Sequence, residues 1–553
     1  MKVLILGGYG TFGGRLVQLL AGETATLIVA GRNREKAATL CARLGTANAV
    51  PALFDRAGAI ESQLAELAPD VIVDASGPFQ LYSDPYRVVR AALAQGIHYL
   101  DLADGSDFVK GIAQFDAEAK ARGIFLLAGA SSFPVLTAAV IRMLASDMTS
   151  LESVSGGIAP SPYADIGLNV MRAITSYAGK PITQMPDGKP HFALVETRRC
   201  VIAPPGRLPL DQMHFSLVDV PDLKVLSELW PSLNDVWMGA GPVPESLHRA
   251  LNVLAYAVRL GLLPSLEPFA LFMHRLSRSV RWGEHRGGMF VSAHGTGPQG
   301  RRIERAWHMI AEGDDGPFIP SMAAAAIIRH CVAGHPPAAG ARPATRDLEL
   351  SDYETLFARR RIYTGVRNSM PAAAPLYRRI LGDVFDTMPA PWRAMHDFKG
   401  ELAADGTARV DRGRGLLARF VAGMLGFPGA GDNIPMTVTF RAHDGVETWR
   451  RQFAGRSFVS TQEQGRGRFE HLLCERFGPL RFGFALVTDN ERMRLIVRRW
   501  SIFGLALPRA WAPVSAAYEF VDEGRFNYYV EIGHSLTGLI VRYRGWLVPR
   551  ASD

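Results

Sequence analysis

The chain has 553 residues, of which 48% are hydrophobic and 21% are charged. This length exceeds what one hydrophobic core supports, so two or three globular domains are expected. The net charge of +8 arises from 61 basic and 53 acidic residues. These are interspersed, which argues against the concentrated basic patch that nucleic-acid binding requires. The four cysteines lie far apart without a C-x-x-C pair, so no metal site is predicted and a reducing compartment is favoured.

The location of the protein is predicted from its N-terminus and its longest apolar stretch. The first predicted strand begins at Lys2, which leaves no room for a signal peptide, so a cytoplasmic protein is expected. The stretch 250–273 is interrupted by Arg259 and two prolines, so it is a poor membrane span. Its simplest interpretation is a core helix. Peripheral contact with a membrane through 250–273 or 502–517 is the alternative.

The first thirty-two residues organise the rest of the chain. The apolar runs 2–6 and 26–30 predict buried strands, and 11–20 has the apolar spacing of a helix. A G-x-G-x-x-G motif joins the first strand to the helix, where its glycines allow a tight turn and close approach of a pyrophosphate. The helix N-terminus then faces the phosphates. A purely structural turn is the alternative. The predicted cofactor contacts in this loop are Gly7, Gly8, Gly10, Thr11, Phe12 and Gly13.

The end of the second strand indicates which dinucleotide is bound. An NAD site usually carries an acidic residue there, which bonds the ribose 2′-hydroxyl. This chain has Gly31-Arg32 instead, with Arg34 close by. NADP is therefore preferred over NAD, with Arg32 facing the 2′-phosphate. The alternative is that Arg32 is a solvated surface residue.

Alternating strands and helices continue to residue 128, which predicts a doubly wound parallel sheet of Rossmann type. Further strands are predicted at 50–54, 71–75, 98–102 and 124–128. The loops after the strands line one edge of such a sheet, where ligands bind. Asp55 has an alternative role as a helix N-cap, and Asp101 as a cap or ribose contact. Further candidate cofactor contacts are Asp55, Ser76, Gly77, Pro78 and Phe79; candidate proton donors are Tyr99, Asp101 and Asp104.

Residues 131–367 are predicted to form an α+β domain for substrate binding and dimerisation. A homodimer is therefore one of the possible oligomeric states. A long hairpin is expected over 288–293 and 301–312, and a Pro/Ala/Gly-rich loop over 335–346. Tyr177 and Lys180 resemble a dehydrogenase Tyr/Lys pair, but their spacing is one residue short, so both are predicted to be surface residues.

The segment 375–553 differs from the rest of the chain in its pattern of polar and apolar residues. Polar and apolar residues alternate, which predicts an antiparallel sheet of about eight strands with one wet face, curved or closed into a barrel. The tract 502–517 is apolar and could cap an open end. The arginines expected on the wet face are Arg441, Arg450, Arg451, Arg492, Arg494, Arg498 and Arg499. The predicted domains are thus 1–130, 131–367 and 375–553.

The glycine loop and several further motifs carry a family resemblance. These are GGYGTFGG, VDASGPF at 73–79, HYLDLADG at 98–105 and GASSFPVLTAAV at 129–140. Over about 1–365 the chain resembles the saccharopine dehydrogenase-like family. The resemblance implies an NAD(P)-dependent oxidoreductase scaffold without identifying the substrate. Residues 375–553 resemble an uncharacterised bacterial domain fused behind such modules.

The predicted function is hydride transfer between NADP(H) and a C=C, C=O or C=N bond of a small, hydrophobic substrate. The apolar stretch 250–273 leaves a lipid-like substrate open as an alternative to its interpretation as a core helix. The sequence assigns no proton donor. The alternative is a non-catalytic NADP-binding protein whose C-terminal domain binds a lipid or a partner.

Overall fold

A computed structural model describes residues 1–165, 167–183, 190–242, 244–489 and 491–550. The chain divides into two compact units. The first comprises Met1–Cys200 and Met213–Tyr363, and the second comprises Val201–Gln212 and Thr364–Asp553. The short segment Val201–Gln212 therefore belongs to the second unit, although its neighbours in sequence belong to the first. Within the described ranges, no helix has the length and apolar character needed to cross a membrane.

The first unit opens with the predicted doubly wound parallel sheet, which is thereby confirmed. Its first six strands lie in the order β6-β5-β4-β1-β2-β3. They are short apolar runs because helices cover both faces of the sheet. The strands are β1 Lys2–Leu6, β2 Thr26–Gly31, β3 Ala49–Leu53, β4 Val71–Asp74, β5 His98–Asp101 and β6 Phe125–Ala128. The helices are α1 Thr11–Leu20, α2 Arg34–Leu44, α3 Ile60–Leu67, α4 Arg87–Gln95, α5 Ser106–Gly111, α6 Asp116–Ala121 and α7 Thr137–Leu144.

A seventh strand joins this sheet from far along the chain. Gly340–Pro343 pairs in parallel with β6, and the backbone N–H of Ala341 donates to Asp116 Oδ1 at 3.0 Å. The prediction of a loop over 335–346 is therefore wrong at these residues. Sequence analysis missed this strand because four residues ending in proline show little apolar periodicity. Proline is compatible with the strand because an edge position tolerates the missing N–H.

The remainder of the first unit is built around a mixed sheet, which confirms the predicted α+β region. The strand order is β10-β11-β12-β7-β13-β14-β16, with β12 and β7 parallel, and the predicted hairpin is β13–β14. The strands of this sheet are β7 Ser150–Ala159, β10 Thr197–Cys200, β11 Met213–Leu217, β12 Asp235–Ala240, β13 Arg286–Thr296, β14 Arg302–Glu312 and β16 Ile362–Asn368. Strands β8 Pro181–Thr183 and β9 Pro190–Phe192 pair with each other, and β15 Gly340–Pro343 is the edge strand of the first sheet. The helices are α8 Gly167–Tyr177, α9 Asp222–Leu229, α10 Glu245–Arg259, α11 Ala270–Ser279, α12 Ile319–Val332 and α13 Leu350–Phe357.

The apolar stretch at 250–273 does not form a core helix, so that interpretation is wrong. In α10 the buried residues are His248 and Ala255. Leu260 and Leu262, directly after α10, are 70% and 73% exposed, and Phe272 in α11 is 64% exposed. Several large apolar side chains of this stretch therefore face solvent, whereas Leu266 is fully buried.

The second unit is a closed antiparallel sheet. Its eleven strands follow the order β22-β21-β20-β19-β18-β17-β27-β26-β25-β23-β24, and pairing of β22 with β23 closes the first ten into a barrel. About eight strands were predicted because β17 is rich in small and charged residues and β27 was not recognised. The strands are β17 Glu401–Arg412, β18 Gly431–His443, β19 Val446–Phe453, β20 Arg456–Gln464, β21 Leu473–Phe477, β22 Leu480–Asp489, β23 Arg492–Ile502, β24 Leu505–Ala506, β25 Val514–Asp522, β26 Arg525–His534 and β27 Gly538–Pro549. The helices are α14 Leu376–Leu381, α15 Ala390–His396 and α16 Leu416–Met424.

Two of the arginines predicted on the wet face are buried instead. Arg451 alternates with the exposed Arg450 along β19, so its side chain turns towards the barrel interior together with those of Trp449 and Phe453. Arg498 is also buried, and its guanidinium pairs with Asp211 at 3.0 Å. Closure of the sheet thus buries Arg451, whereas Arg498 lies beside the segment Val201–Gln212, which supplies Asp211.

Candidate functional site

The glycine turn after β1 has the geometry that its sequence predicts. Gly7 has a φ of +67°, and the N–H of Gly10 donates to Gly7 O at 2.8 Å. A Cβ on Gly13 would lie 2.3 Å from Gly7 O, and one on Gly8 would lie 2.8 Å from Ile5 O. Side chains are therefore incompatible with this turn. Gly10 is exposed and α1 begins beside it without a side-chain cap, so the first N–H groups of the helix are available to an anion.

The end of β2 presents two cationic side chains and one aromatic ring. Arg32 and Arg34 are exposed, and no described residue forms an ion pair with them. The Tyr9 ring packs on Gly31, where a Cβ would lie 2.6 Å from the ring, and its hydroxyl accepts a bond from the N–H of Asn33 at 3.0 Å. Tyr9 thus fixes the backbone beside Arg32. Sequence analysis missed it, although an aromatic residue between two motif glycines is a usable signal.

The loop after β4 is held by a buried ion pair that sequence analysis also missed. Asp74 is fully buried at the end of β4 and pairs with the guanidinium of Arg56. Arg56 also donates to Ser76 Oγ at 3.1 Å, and its guanidinium lies 4.3 Å from the centre of the Tyr82 ring. Ser76 Oγ donates to Asp74 Oδ1 at 2.5 Å. These contacts fix the loop Ser76–Phe79 at the ligand-binding edge of the sheet.

Two predicted cofactor contacts have structural roles for their side chains. Asp55 Oδ1 accepts the N–H of Ala57 at 3.0 Å, which closes the turn before α3. The Phe79 ring is 1% exposed and stacks on Phe108 at a centroid distance of 4.8 Å. A cofactor at these positions would therefore meet the backbone at Phe79 rather than its ring.

The three candidate proton donors differ in accessibility. Tyr99 and Asp101 have no solvent exposure, whereas Asp104 is exposed. Asp101 Oδ1 accepts the N–H groups of Ala103 at 2.9 Å and Gly129 at 2.8 Å, which joins the loops after β5 and β6. Burial raises the pKa of Asp101 to about 7 and holds the pKa of Tyr99 well above its usual value. Asp101 thus holds the loops after β5 and β6 together. Of the three candidate proton donors, Asp104 is the one exposed to solvent.

Helix α8 packs against the loop after β4 and against the glycine turn. Asn169 Nδ2 donates to Gly77 O at 2.7 Å, and a Cβ on Gly167 would lie 2.8 Å from Thr11 Oγ1. Tyr177, at the end of α8, is partly buried rather than on the surface as predicted. Burial raises its pKa, and the carboxylates of Asp104 and Asp219 raise it further. No local signal showed that these three residues would meet.

Two family models each match one part of the chain. Residues 3–127 match the family described as the saccharopine dehydrogenase NADP binding domain. Residues 388–547 match a domain of unknown function, DUF4166. Among curated proteins, none matches the chain.

Similar solved structures include several dehydrogenases. Apo saccharopine dehydrogenase (L-Glu forming) from Saccharomyces cerevisiae has 12% identity and a TM-score of 0.47, and the match covers 67% of this chain and 100% of that one. A probable dehydrogenase from Thermotoga maritima has 11% identity and a TM-score of 0.32, with 62% and 91% covered. The WlbA dehydrogenase from Thermus thermophilus, in complex with NAD and α-ketoglutarate, has 12% identity and a TM-score of 0.29, with 62% and 90% covered.

The family match over residues 3–127 supports an NAD(P)-dependent oxidoreductase and confirms the predicted resemblance to the saccharopine dehydrogenase type. The fusion to an uncharacterised C-terminal domain is confirmed as well.

Proposed function

We propose that the protein is an NADP(H)-dependent oxidoreductase acting on a C=C, C=O or C=N bond of a small hydrophobic substrate. The observation that carries the proposal is the open glycine turn followed by exposed Arg32 at the end of β2. The turn leaves room for the diphosphate, and a guanidinium suits an additional phosphate better than a free hydroxyl.

The chain's own groups position the reactants. When bound, the nicotinamide supplies or accepts the hydride. The Arg56–Asp74 pair and Asp101 fix the loops at the sheet edge, so their backbone does not reorganise during the reaction. The Tyr177 hydroxyl, like any tyrosine hydroxyl, is protonated at neutral pH, and burial raises its pKa further, so it can donate a hydrogen bond to a substrate oxygen or nitrogen.

Replacement of Arg32 tests the choice of cofactor. NADPH and NADH are titrated calorimetrically into the wild type, Arg32→Glu and a matched control, Arg43→Glu, which changes an exposed arginine at the far end of α2. We expect Arg32→Glu to weaken NADPH binding at least tenfold more than NADH binding, with Arg43→Glu unchanged. Equal losses for both dinucleotides would refute the NADP assignment. Absence of heat with either dinucleotide would refute the oxidoreductase proposal.

The exposed surface of α10–α11 supports a second proposal, which is peripheral contact with an anionic lipid surface. Apolar side chains and arginines are exposed together here, as in helices that lie in a membrane interface. The apolar members include Val253, Leu260, Leu262, Phe272 and Trp282, and the arginines are Arg259, Arg275, Arg278 and Arg281.

Flotation with liposomes tests this surface. We expect the wild type to float with anionic vesicles more than with neutral ones, and Phe272→Ser with Trp282→Ser to abolish flotation. Trp511→Ser, at a tryptophan 61% exposed in the second unit, is the control. A homodimer that dissociates in the double variant, without flotation of the wild type, would instead assign the surface to a subunit interface.

A further inference from the structure

The barrel of the second unit contains a large internal space. Its cavity has a volume of about 840 Å³, within the range of roughly 300–1,000 Å³ typical of small-molecule sites. This is larger than the packing defects of a folded core, which seldom exceed a water molecule. The walls are mainly aliphatic and aromatic, with Val438, Phe458, Phe484 and Leu495 as examples. The space therefore suits a hydrocarbon chain.

One end of the cavity is closed by helices α14 and α15. Tyr377 in α14 and His396 in α15 line the cavity and are 0% and 1% exposed. Glu519 Oε2 on β25 holds α15 against the wall, because it accepts a bond from Trp392 Nε1 at 2.9 Å and lies 3.0 Å from His396 Nε2. The Tyr377 hydroxyl donates to Gln462 Oε1 on β20 at 3.4 Å. This end of the barrel is therefore sealed.

The other end of the cavity is open. Met424 and Phe503 line the cavity and are nevertheless 69% and 82% exposed, so they mark the opening. Glu519, at the sealed end, lies opposite Met493 near the start of β23, whereas Phe503 directly follows the end of that strand. From Glu519 to Pro513, which also lines the cavity, β25 advances by roughly 20 Å at about 3.3 Å per residue. The cavity is thus elongated.

Two arginines face inwards at the open end. Arg456 begins β20 and lies on the same face of that strand as the buried Phe458. Arg412 ends β17 and lies on the same face as the buried Val410. Both guanidinium groups donate to Phe427 O, at 3.5 Å from Arg456 and 2.9 Å from Arg412, and Phe427 lines the cavity. Two positive charges therefore lie beside the opening.

These charges lack acidic partners. Burial lowers the pKa of Arg412, and the charges of Arg456 and of the exposed Arg419 in α16 lower it further, because the three arginines lie close together. Among the described residues, none forms an ion pair with any of the three. The carboxylate of Asp432 on the neighbouring strand β18 pairs with Arg409 instead, at 3.0 Å. An anion at the opening would therefore relieve the repulsion between like charges.

The charged groups inside the cavity, in contrast, already have partners. Arg451 lies 3.3 Å from Glu475 and also donates to Ser460 Oγ at 2.8 Å. Glu519 Oε2 lies 3.0 Å from His396 Nε2. A charged head group carried into the interior would have to be buried without a counter-charge of its own, which is costly. The charged end of a ligand is therefore expected at the opening, with its hydrocarbon part inside.

We propose that the barrel binds a long-chain amphiphile with an anionic head group, either a carboxylate or a phosphate. The hydrocarbon chain extends along the apolar walls from the opening towards the sealed end, and the head group pairs with Arg412 and Arg456. This inference does not rest on the oxidoreductase proposal, because all of these residues belong to the second unit.

Four radiolabelled ligands of equal chain length test the proposal on the full-length protein. Tetradecanoate, tetradecyl phosphate, tetradecanol and tetradecyltrimethylammonium are delivered from cyclodextrin, and binding is measured by equilibrium dialysis. We expect one or both anions to bind at least tenfold more tightly than the alcohol and the cation, and the tighter anion identifies the head group. A smaller preference would overturn the anionic head group, and no binding of any of the four would overturn the proposed site.

Replacement of the two arginines tests where the head group lies. In Arg412→Gln with Arg456→Gln, we expect the preference for the anions over tetradecanol to disappear while tetradecanol binding is unchanged. Arg441→Gln is the control, because it removes an exposed arginine near the opposite end of β18. A preference retained in the double variant would overturn the role of the arginines. If the double variant does not fold, Arg456→Gln alone decides, and it should reduce the preference at least threefold.

Two neighbouring residues on β25 test where the hydrocarbon chain lies. Ala517 lines the cavity, whereas Ala516 is exposed on the outer face. We expect Ala517→Trp to abolish binding of all four ligands and Ala516→Trp to preserve it, with a cooperative melting transition retained in both. Equal effects of the two folded variants would contradict binding inside the barrel. If Ala517→Trp does not fold, the comparison of the four ligands on the wild type decides the proposal.

Discussion

The two units present ligand spaces of opposite construction. At the edge of the first sheet, the space beside Gly10 is bounded by backbone, and its polar groups are N–H donors at the start of α1. In the second unit, the space is enclosed by side chains and lies inside a closed sheet. The space in the first unit is determined by a few adjacent residues of one motif. The space in the second unit forms only when strands that are far apart in sequence have paired.

The largest effect that would sharpen this contrast is expected at the glycine turn. Gly10→Val places a branched side chain where the diphosphate should lie, and we expect NADPH affinity to fall at least about 100-fold, roughly 2.7 kcal/mol. Calorimetric titration of NADPH measures this, with Gly429→Ala as the control because open space surrounds that glycine. An equal loss of affinity in Gly429→Ala would show that the effect does not come from the glycine turn.

A smaller effect is expected from the ion pair that holds the loop after β4. The Arg56 and Asp74 side chains are 15% and 0% exposed, so Arg56→Met leaves a buried carboxylate without its partner. We expect the free energy of unfolding of the first unit to fall by about 3 kcal/mol. This loss of stability is measured by unfolding the protein in urea and monitoring hydrogen exchange in peptides from the first unit.

The exposed pair of Arg90 and Asp84 supplies the comparison for this prediction. These side chains are 50% and 44% exposed, so Arg90→Met should cost at most about 1 kcal/mol. A cost for Arg56→Met no greater than that for Arg90→Met would show that the buried pair does not support the site.

The smallest effect concerns the pH dependence of the first unit. Burial raises the pKa of Asp101 to about 7, above the value of about 3.9 expected in an unfolded chain. The folded state therefore binds this proton more tightly, so the stabilisation is full below about pH 4 and is lost as the pH rises through about 7. Asp101→Asn should flatten the decline of the melting temperature between about pH 5 and pH 8.

Glu66→Gln, at an exposed carboxylate in α3, controls for the change in net charge and should leave the decline intact. Part of the decline should persist in Asp101→Asn, because burial also raises the pKa of Asp222 to about 7. An unchanged profile for Asp101→Asn would show that this carboxyl does not titrate in the folded protein.

Sequence analysis predicted the first sheet well because each strand is a compact apolar run with a turn at its end. It found the glycine turn for the same reason, since a Cβ on Gly8 would clash with Ile5 and a Cβ on Gly13 with Gly7, both close in sequence. It did not find the partnership of Arg56 with Asp74 or the approach of Tyr177 to Asp104, because both depend on how separate elements pack.

In the second unit the alternation was recognised, but Arg451 and Arg498 were assigned to the wrong face. Along β19, Glu447, Trp449, Arg451 and Phe453 share the buried face, whereas Arg451 was predicted on the wet face together with its neighbour Arg450. The aromatic members of the same face were the better guide. Charged residues at period two with buried aromatics indicate a polar lining inside a closed sheet.

The segment Val201–Gln212 has a consequence for genetic dissection of the protein. It contributes Gly206 O, which accepts the N–H of Thr488 at 2.9 Å, and Ala203 O, which accepts Arg367 Nε at 2.6 Å. A gene fragment that starts after Tyr363 would encode the barrel without the segment Val201–Gln212, so Arg498 would lose its ion pair with Asp211. The polypeptide crosses between the units three times, so no single cut separates them into two complete products.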